Sequence, residues 1–166
     1  MITSDIKEPA LLKIQSISDD RGVLIPYTDD IDDNLFKRAY IVENYGRGVI
    51  RGLHYHRQEI KIFIVPAGAA KFITMKLPLE MAERNDEEQI KKYLQQNPDI
   101  LKSWTLSSRH YAVLAVPPLY ANGWVGLKDN TLLFSLSSLR FEKAKDDDIR
   151  IDPYLIGKDK WEVIGR

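Results

Sequence analysis

Short apolar or alternating stretches separated by turn residues follow one another along most of the chain. The β-rich runs cover residues 11–17, 23–26, 38–42, 48–56, 60–65, 70–77, 103–106, 111–116, 124–127 and 131–136. Turn signals such as Asp19-Asp20-Arg21-Gly22 and Pro66-Ala67-Gly68 interrupt them. Strands that recur about every 8–12 residues are typical of a sandwich or barrel. The pattern therefore predicts an all-β fold.

One segment breaks this pattern. Residues 79–101 are rich in Glu, Lys, Gln and Leu, which favour a helix. We predict a helix from Glu87 to Gln96, with Asn85 or Asp86 as its N-cap and Asn97-Pro98 as its stop. This helical excursion is expected to be solvated decoration or a dimer contact.

Composition narrows the class of protein. The chain has 166 residues, and we expect residues 1–166 to form a single domain. Its 24 basic and 24 acidic residues balance, so overall charge favours neither nucleic acid nor an anionic membrane. The absence of cysteine excludes disulfides and thiolate chemistry. With no signal-like N-terminus and no membrane-length apolar run, a soluble cytoplasmic protein is expected.

The chain has three histidines, and two of them stand two residues apart on a predicted strand. His54 and His56 should therefore point to the same face. Such a pair can transfer protons, or it can bind a metal together with Glu59. A satisfied core or surface pair is the alternative without chemistry.

Two basic residues flank this pair. Arg51 offers a planar fork suited to phosphate oxygens, but its parity differs from that of His54 unless the strand bulges at Gly52. A surface ion pair is the second interpretation of Arg51. Lys61 opens an apolar strand, where it either extends to the strand end or points into a polar cavity and stabilises an enolate.

The strand Gly48-Val49-Ile50-Arg51-Gly52-Leu53-His54-Tyr55 is similar to the signature strand of the dTDP-4-dehydrorhamnose 3,5-epimerase family. Asp20-Arg21-Gly22 resembles an N-terminal motif of the same family. Lys61, seven residues before Gly68, resembles its lysine, and the stretch from Val116 to Trp124 resembles its second motif. The similarity covers about residues 19 to 136.

This resemblance implies a cupin-type jelly-roll barrel that works as a homodimer on a nucleotide sugar, without a metal or other cofactor. It makes His54 the base that removes a proton next to the sugar ketone. Lys61 would stabilise the enolate, and Arg51 and Arg21 would bind the diphosphate. We add Asn44, Asn122 and Ser135 as candidate substrate-binding residues.

The sequence departs from the family at three places. Ser135 stands where the family's acid tyrosine is expected, and Asn122 replaces a histidine. No residue near the C-terminus corresponds to the aspartate that supports the base, so we expect His54 to lack this partner.

A sister family, the nucleotide-sugar 3,4-ketoisomerases, resembles the chain in different residues. Those enzymes carry an Arg-Gly-x-His-x-His strand, which matches His54 and His56. Their tyrosine-bearing strand resembles residues 37–41, which makes Tyr40 a candidate acid. We therefore predict an epimerase or isomerase of a 4-keto-6-deoxy nucleotide sugar, with ketone migration as the alternative reaction. The sequence is also compatible with a metal-dependent cupin and with a non-catalytic nucleotide-sugar-binding protein.

Overall fold

The computed structural model describes residues 1–163. The strands are β1 (Ala10–Lys13), β2 (Ile17–Asp19), β3 (Gly22–Leu24), β4 (Arg38–Asn44), β5 (Ile50–Tyr55), β6 (Lys61–Ala67), β7 (Ala69–Lys76), β8 (Leu101–Ser107), β9 (Ala112–Val116), β10 (Tyr120–Gly126), β11 (Thr131–Ser137) and β12 (Ile149–Arg150). The α-helices are α1 (Leu79–Arg84), α2 (Glu87–Gln96) and α3 (Phe141–Ala144). The prediction of an all-β fold with a helical excursion is confirmed. None of the helices within residues 1–163 has the length and apolar character needed to cross a membrane.

Ten of the strands form two five-stranded antiparallel sheets. The first sheet has the order β1-β9-β6-β11-β4, and the second has the order β12-β5-β10-β7-β8. Strands β2 and β3 form a separate hairpin. Neighbouring strands in each sheet are mostly distant in sequence, as in the double-sheet jelly roll that the resemblance implies.

The interior core lies between the two sheets. It is built from large side chains of both sheets, including Phe63, Phe72, Leu114, Trp124 and Leu133. The rings of Phe63 and Phe72 lie 5.2 Å apart, and Phe72 stacks on Trp124. Burying each such side chain stabilises the fold by roughly 1.5–3 kcal/mol. Polar residues border this core, since Phe63, Trp124 and Leu133 line a cavity together with Arg51 and His54.

The helical excursion covers the outer face of the second sheet. Helix α2 begins at its cap Asp86, whose side chain accepts a hydrogen bond from the Gln89 amide at 3.1 Å. Its buried residues Ile90 and Leu94 join the cluster that contains Tyr55 on β5. The predicted bounds of α2 are confirmed, and the expected role as solvated decoration is wrong, because these apolar residues bury a sheet face. The alternative role as a dimer contact stays a prediction.

The N-terminal segment covers the outer face of the first sheet in the same way. Ile2, Ile31 and Leu35 pack with Ile62 and Ile64 of β6. Strand β6 is therefore buried on both faces, which explains why its sequence is almost continuously apolar. Lys61, at the start of this strand, is the exception to that apolar run.

Candidate active site

An irregularity in β5 brings Arg51 and His54 to one side of the sheet. In the pairing of β5 with β10, His54 lies opposite Asn122 while Arg51 lies opposite Trp124, so the register shifts by one residue. Gly52 lies at the shift with φ of +110°, and an added Cβ would stand 2.7 Å from Gly123 Cα. Only glycine fits this close approach.

His54 has a carboxylate partner. Its Nδ1 lies 3.4 Å from Asp148 Oδ1, in a segment that leads into β12, where Arg150 pairs with His54. The expectation that no C-terminal aspartate supports this histidine is therefore wrong. Burial lowers the pKa of His54, Asp148 opposes this shift, and the positive charge of Lys61 adds to it. In the tautomer that carries its proton on Nδ1, facing the Asp148 carboxylate, Nε2 is the basic nitrogen.

His56 is more deeply buried, with 4% of its side chain exposed. Its Nδ1 lies 2.9 Å from the Asp147 carbonyl, which can only accept a hydrogen bond, so the proton belongs on Nδ1. Nε2 is buried and has no hydrogen-bond partner among residues 1–163. Burial and the charge of Lys61 lower the pKa of His56 to about 3, so the ring is neutral at physiological pH. The two imidazole rings lie 5.4 Å apart.

Asp147 fixes the turn between β5 and β6. Its carboxylate accepts hydrogen bonds from three consecutive backbone amides, those of Arg57, Gln58 and Glu59, at 2.8–3.0 Å. Three such bonds to a carboxylate hold a turn firmly. Asp147 and Asp148 thus act on opposite sides of one extended segment, the first on the turn and the second on His54.

A buried ionic cluster lies beyond the turn. Glu59 Oε2 is 3.0 Å from Lys61 Nζ and 3.1 Å from His56 Nδ1, and the Ser137 hydroxyl donates to the other carboxylate oxygen. Lys61 Nζ also donates to the Tyr40 hydroxyl at 3.0 Å. A histidine, an ammonium and a phenol are thereby held in one place.

These groups line a cavity of about 390 Å³, called the lysine cavity below. Its polar wall is formed by Tyr40, His54, His56, Glu59, Lys61 and Asp148. A cavity of this size accommodates a small sugar ring. All four predicted catalytic residues lie in it.

A second cavity of about 490 Å³, called the arginine cavity, shares Tyr40, His54 and Asp148 with the first. Arg51 and Arg150 bring positive charge to it, and Trp124 adds an aromatic wall. The Arg51 guanidinium donates from Nε to Asn44 Oδ1 at 2.6 Å and from Nη2 to the Glu43 carbonyl at 3.1 Å. These two contacts orient the fork and leave its remaining N–H groups free for an anionic ligand.

The remaining predicted substrate-binding residues are placed differently. Asn44 is buried and positions Arg51. Asn122 lines the arginine cavity and donates to the backbone carbonyls of His54 and Tyr120. Ser135 is buried between Tyr40 and Phe63 in adjacent strands, and it lines neither of the two cavities. Arg21 lies in the exposed turn of the β2–β3 hairpin, with 86% of its side chain exposed and an ion pair to Asp19.

Four residues of the site, Arg38, Asp147, Asp148 and Arg150, are not singled out by the sequence pattern. Asp147 and Asp148 belong to an acidic run ahead of an irregular tail. Arg38 stacks on the Tyr40 ring, with its Cζ 4.9 Å from the ring centroid, and lies 3.7 Å from Glu59. The alternation of Asp148, Arg150 and Asp152 around two isoleucines is a usable signal for a short strand.

Among residues 1–163, the ligand atoms that lie close enough to hold a metal belong to a different set from the one predicted. Ligand atoms of His54, His56 and Asp148 lie within 4.8 Å of one another. Donors around zinc stand about 3.4 Å apart, so this set would have to contract. Glu59, predicted as the third ligand, pairs with Lys61 instead. The ammonium of Lys61, whose charge acts on both histidines, opposes a bound cation.

No protein-family model matches the chain, and a search of curated protein sequences finds no similar protein. Solved structures do match. QdtA, a sugar 3,4-ketoisomerase from Thermoanaerobacterium thermosaccharolyticum in complex with TDP, superposes with a TM-score of 0.64 at 23% identity, over 90% of this chain and 92% of that one.

Two epimerases superpose similarly. The RmlC epimerase of Mycobacterium tuberculosis has a TM-score of 0.71 at 15% identity, over 96% of this chain and 75% of that one. The dTDP-4-dehydrorhamnose 3,5-epimerase of Bacillus anthracis, with TDP and pyrophosphate bound, has a TM-score of 0.66 at 21% identity, over 86% and 78%. At these identities the likeness establishes the fold, which is that of the predicted cupin-type barrel.

Proposed function

We propose that this protein is an isomerase that acts on a 4-keto-6-deoxy sugar linked to a thymidine diphosphate. One observation carries the proposal. His54 with its partner Asp148, the Lys61 ammonium and the Tyr40 phenol all line one cavity, and arginines line the cavity beside it. Abstraction of a proton next to a ketone needs a base and a group that stabilises the enolate oxygen. The lysine cavity supplies both, and the arginine cavity supplies a site for the diphosphate.

Each group has a defined role in this proposal. His54 removes the proton next to the C4 ketone through Nε2, while Asp148 stabilises the imidazolium that forms. The ammonium of Lys61 stabilises the enolate oxygen. Tyr40, in hydrogen-bond contact with Lys61, exchanges a proton with the substrate. Arg51, held by Asn44, binds the diphosphate.

The second histidine favours ketone migration over epimerisation. Its fixed tautomer leaves Nε2 without a hydrogen-bond partner among residues 1–163, and its ring lines the cavity that it shares with His54. Moving the ketone from C4 to C3 requires proton transfer at a carbon and at both oxygens, which calls for more than one acid–base group. Epimerisation remains the second candidate, because Lys61 and the His54–Asp148 pair are the features that resemble the epimerases.

Product analysis tests the function directly. The protein is incubated with dTDP-4-keto-6-deoxyglucose, and the products are separated and identified by NMR. A 3-keto sugar nucleotide supports ketone migration, and a 4-keto sugar inverted at C3 or C5 supports epimerisation. Unchanged substrate with folded protein that still binds dTDP supports a non-catalytic binding protein. Failure to bind dTDP would overturn the proposal.

The quaternary structure is part of the proposal. The β2–β3 hairpin exposes Ile17, Val23 and Leu24 by 51–62%, an apolar surface that a second copy can cover. Arg21 in the same hairpin does not line either cavity of its own chain, so it can bind substrate only in the cavity of a partner. We therefore propose a homodimer, and Leu24→Asp should yield a monomer in sedimentation equilibrium. We also propose that residues 1–166 form one cytoplasmic domain.

A further inference from the structure

Glu59 has the least accessible carboxylate in the lysine cavity, with 0% of its side chain exposed. A buried carboxylate is costly unless it is paired and hydrogen-bonded. Its partners on the first oxygen are the Ser137 hydroxyl and, at 3.7 Å, Arg38. On the second oxygen they are Lys61 Nζ at 3.0 Å and His56 Nδ1 at 3.1 Å.

The side chain of Glu59 is not needed to shape its own turn. The turn is held by Asp147, which binds the backbone amide of Glu59 and the two amides before it. Removing the carboxylate charge of Glu59 would leave these bonds in place. Its burial therefore calls for an explanation in the contacts of the carboxylate itself.

One of those contacts is the ion pair with Lys61. The ammonium lies 3.0 Å from Glu59 Oε2 on one side and 3.0 Å from the Tyr40 hydroxyl on the other. A lysine has a flexible four-carbon stem and three N–H donors. The ion pair with Glu59 and the hydrogen bond to Tyr40 hold the ammonium from two sides, whereas Tyr40 alone would leave it free to swing.

We propose that Glu59 is a positioning residue that holds the Lys61 ammonium against Tyr40 and aims it at the lysine cavity. This inference deepens the proposed function and rests on it, because it concerns the group that stabilises the enolate. The carboxylate of Glu59 lines the lysine cavity but is fully buried. It acts through Lys61, and its charge compensates that of Lys61 beside a neutral His56.

A double-mutant cycle tests this inference. The variants are Glu59→Gln, Lys61→Met and the double variant, with Glu88→Gln on the exposed face of α2 as the matched control. Lys61→Met should lower kcat by about 10²–10³-fold. Glu59→Gln should lower kcat by about 10–10²-fold and leave KM within about twofold, because only the aim of the ammonium is lost. The double variant should be no slower than Lys61→Met.

Losses in kcat that multiply in the double variant would overturn the inference, since Glu59 would then act independently of Lys61. Full activity of Glu59→Gln would also overturn it. A purely structural role would lower the affinity for dTDP together with kcat, whereas positioning lowers kcat and leaves the affinity for dTDP unchanged.

The cycle also separates this inference from the proposed function. The wild type and the three variants of the cycle are unfolded with urea, a measurement that needs no substrate. Destabilisation by the double variant that is smaller than the sum of the single effects supports the pairing of Glu59 with Lys61. Additive destabilisation overturns it, even if the wild-type protein transforms no sugar.

Discussion

The two adjoining cavities differ in how deeply their charged side chains are buried. In the lysine cavity the side chains of Glu59, Lys61 and His56 are at most 5% exposed, and their charges are balanced within the cluster. In the arginine cavity the Arg150 side chain is 86% exposed and its pairing to Asp148 is loose at 4.0 Å. Buried, preorganised charges suit the stabilisation of a reacting group, while exposed arginines suit capture of an anionic ligand. This difference agrees with the proposed division, in which the first cavity carries the chemistry and the second binds the diphosphate.

The largest effect that this division predicts comes from the base. His54→Asn should lower kcat by about 10³-fold, because the asparagine amide cannot accept the proton. The affinity for dTDP, measured by calorimetry, should stay within about threefold of the wild type. His110→Asn, in an exposed turn, is the matched control. Loss of dTDP affinity equal to the loss of kcat would assign His54 a structural role.

The phenol in the same cavity should give the next largest effect. Tyr40→Phe removes the hydroxyl that Lys61 contacts while keeping the ring on which Arg38 stacks. We expect kcat to fall by about 10²-fold with little change in melting temperature. Single-turnover rates would check this expectation. A wild-type rate in Tyr40→Phe would contradict the proton-transfer role of Tyr40 and would assign that role to His56.

A smaller effect, of the opposite kind, is expected in the arginine cavity. Arg51→Lys keeps the charge but loses the fork that Asn44 orients. The Kd for dTDP should rise by about tenfold, and kcat at saturating substrate should change by less than about threefold. Arg109→Lys, in an exposed turn, serves as the control. A fall in kcat with unchanged Kd would contradict the division between the cavities.

The smallest expected effect concerns pH and stability. The pKa of His56 is about 3 in the folded protein, against 6.5 as its ordinary value. Between these values the unfolded chain binds a proton that the folded chain does not, so stability is full above about pH 6.5 and falls as the pH drops towards 3. The free energy of unfolding is measured with urea at about pH 7.5 and about pH 5. Its decrease between these two pH values should be about 1–2 kcal/mol smaller in His56→Gln than in the wild type. An identical loss in both proteins would contradict a neutral buried His56.

Much of the fold is predictable because its signals are local. Alternation and turn residues indicate the strands, and the Asp86 cap and the Asn97-Pro98 stop indicate the bounds of α2. The Gly52 irregularity is also predictable, since Arg51 and His54 can line one cavity only if the register shifts between them. The packing of α1 and α2 on the second sheet is not predictable from the sequence, because it depends on which sheet face is otherwise uncovered.

The site is predictable only in part, because some of its contacts depend on strand pairing and not on the local sequence. His54, Lys61 and Tyr40 stand on strands, and His56 directly follows β5, so the chain itself indicates that His54 and His56 share a face. Asp148 reaches His54 through the pairing of the two-residue strand β12 with β5, and no local pattern specifies such a register. The spacing of Glu59 from the two histidines makes it a candidate metal ligand. Spacing does not reveal that its second carboxylate oxygen pairs with Lys61.

The most direct test of the central claim is hydrogen exchange at the sugar. The wild-type protein and His54→Asn are each incubated with dTDP-4-keto-6-deoxyglucose in heavy water, and the C3 and C5 protons are followed by NMR. The proposed mechanism predicts deuterium at C3 with the wild type, catalytically and without added metal, and only the uncatalysed rate with His54→Asn. Equal exchange with both proteins, or no exchange with a folded wild type that binds dTDP, would contradict it.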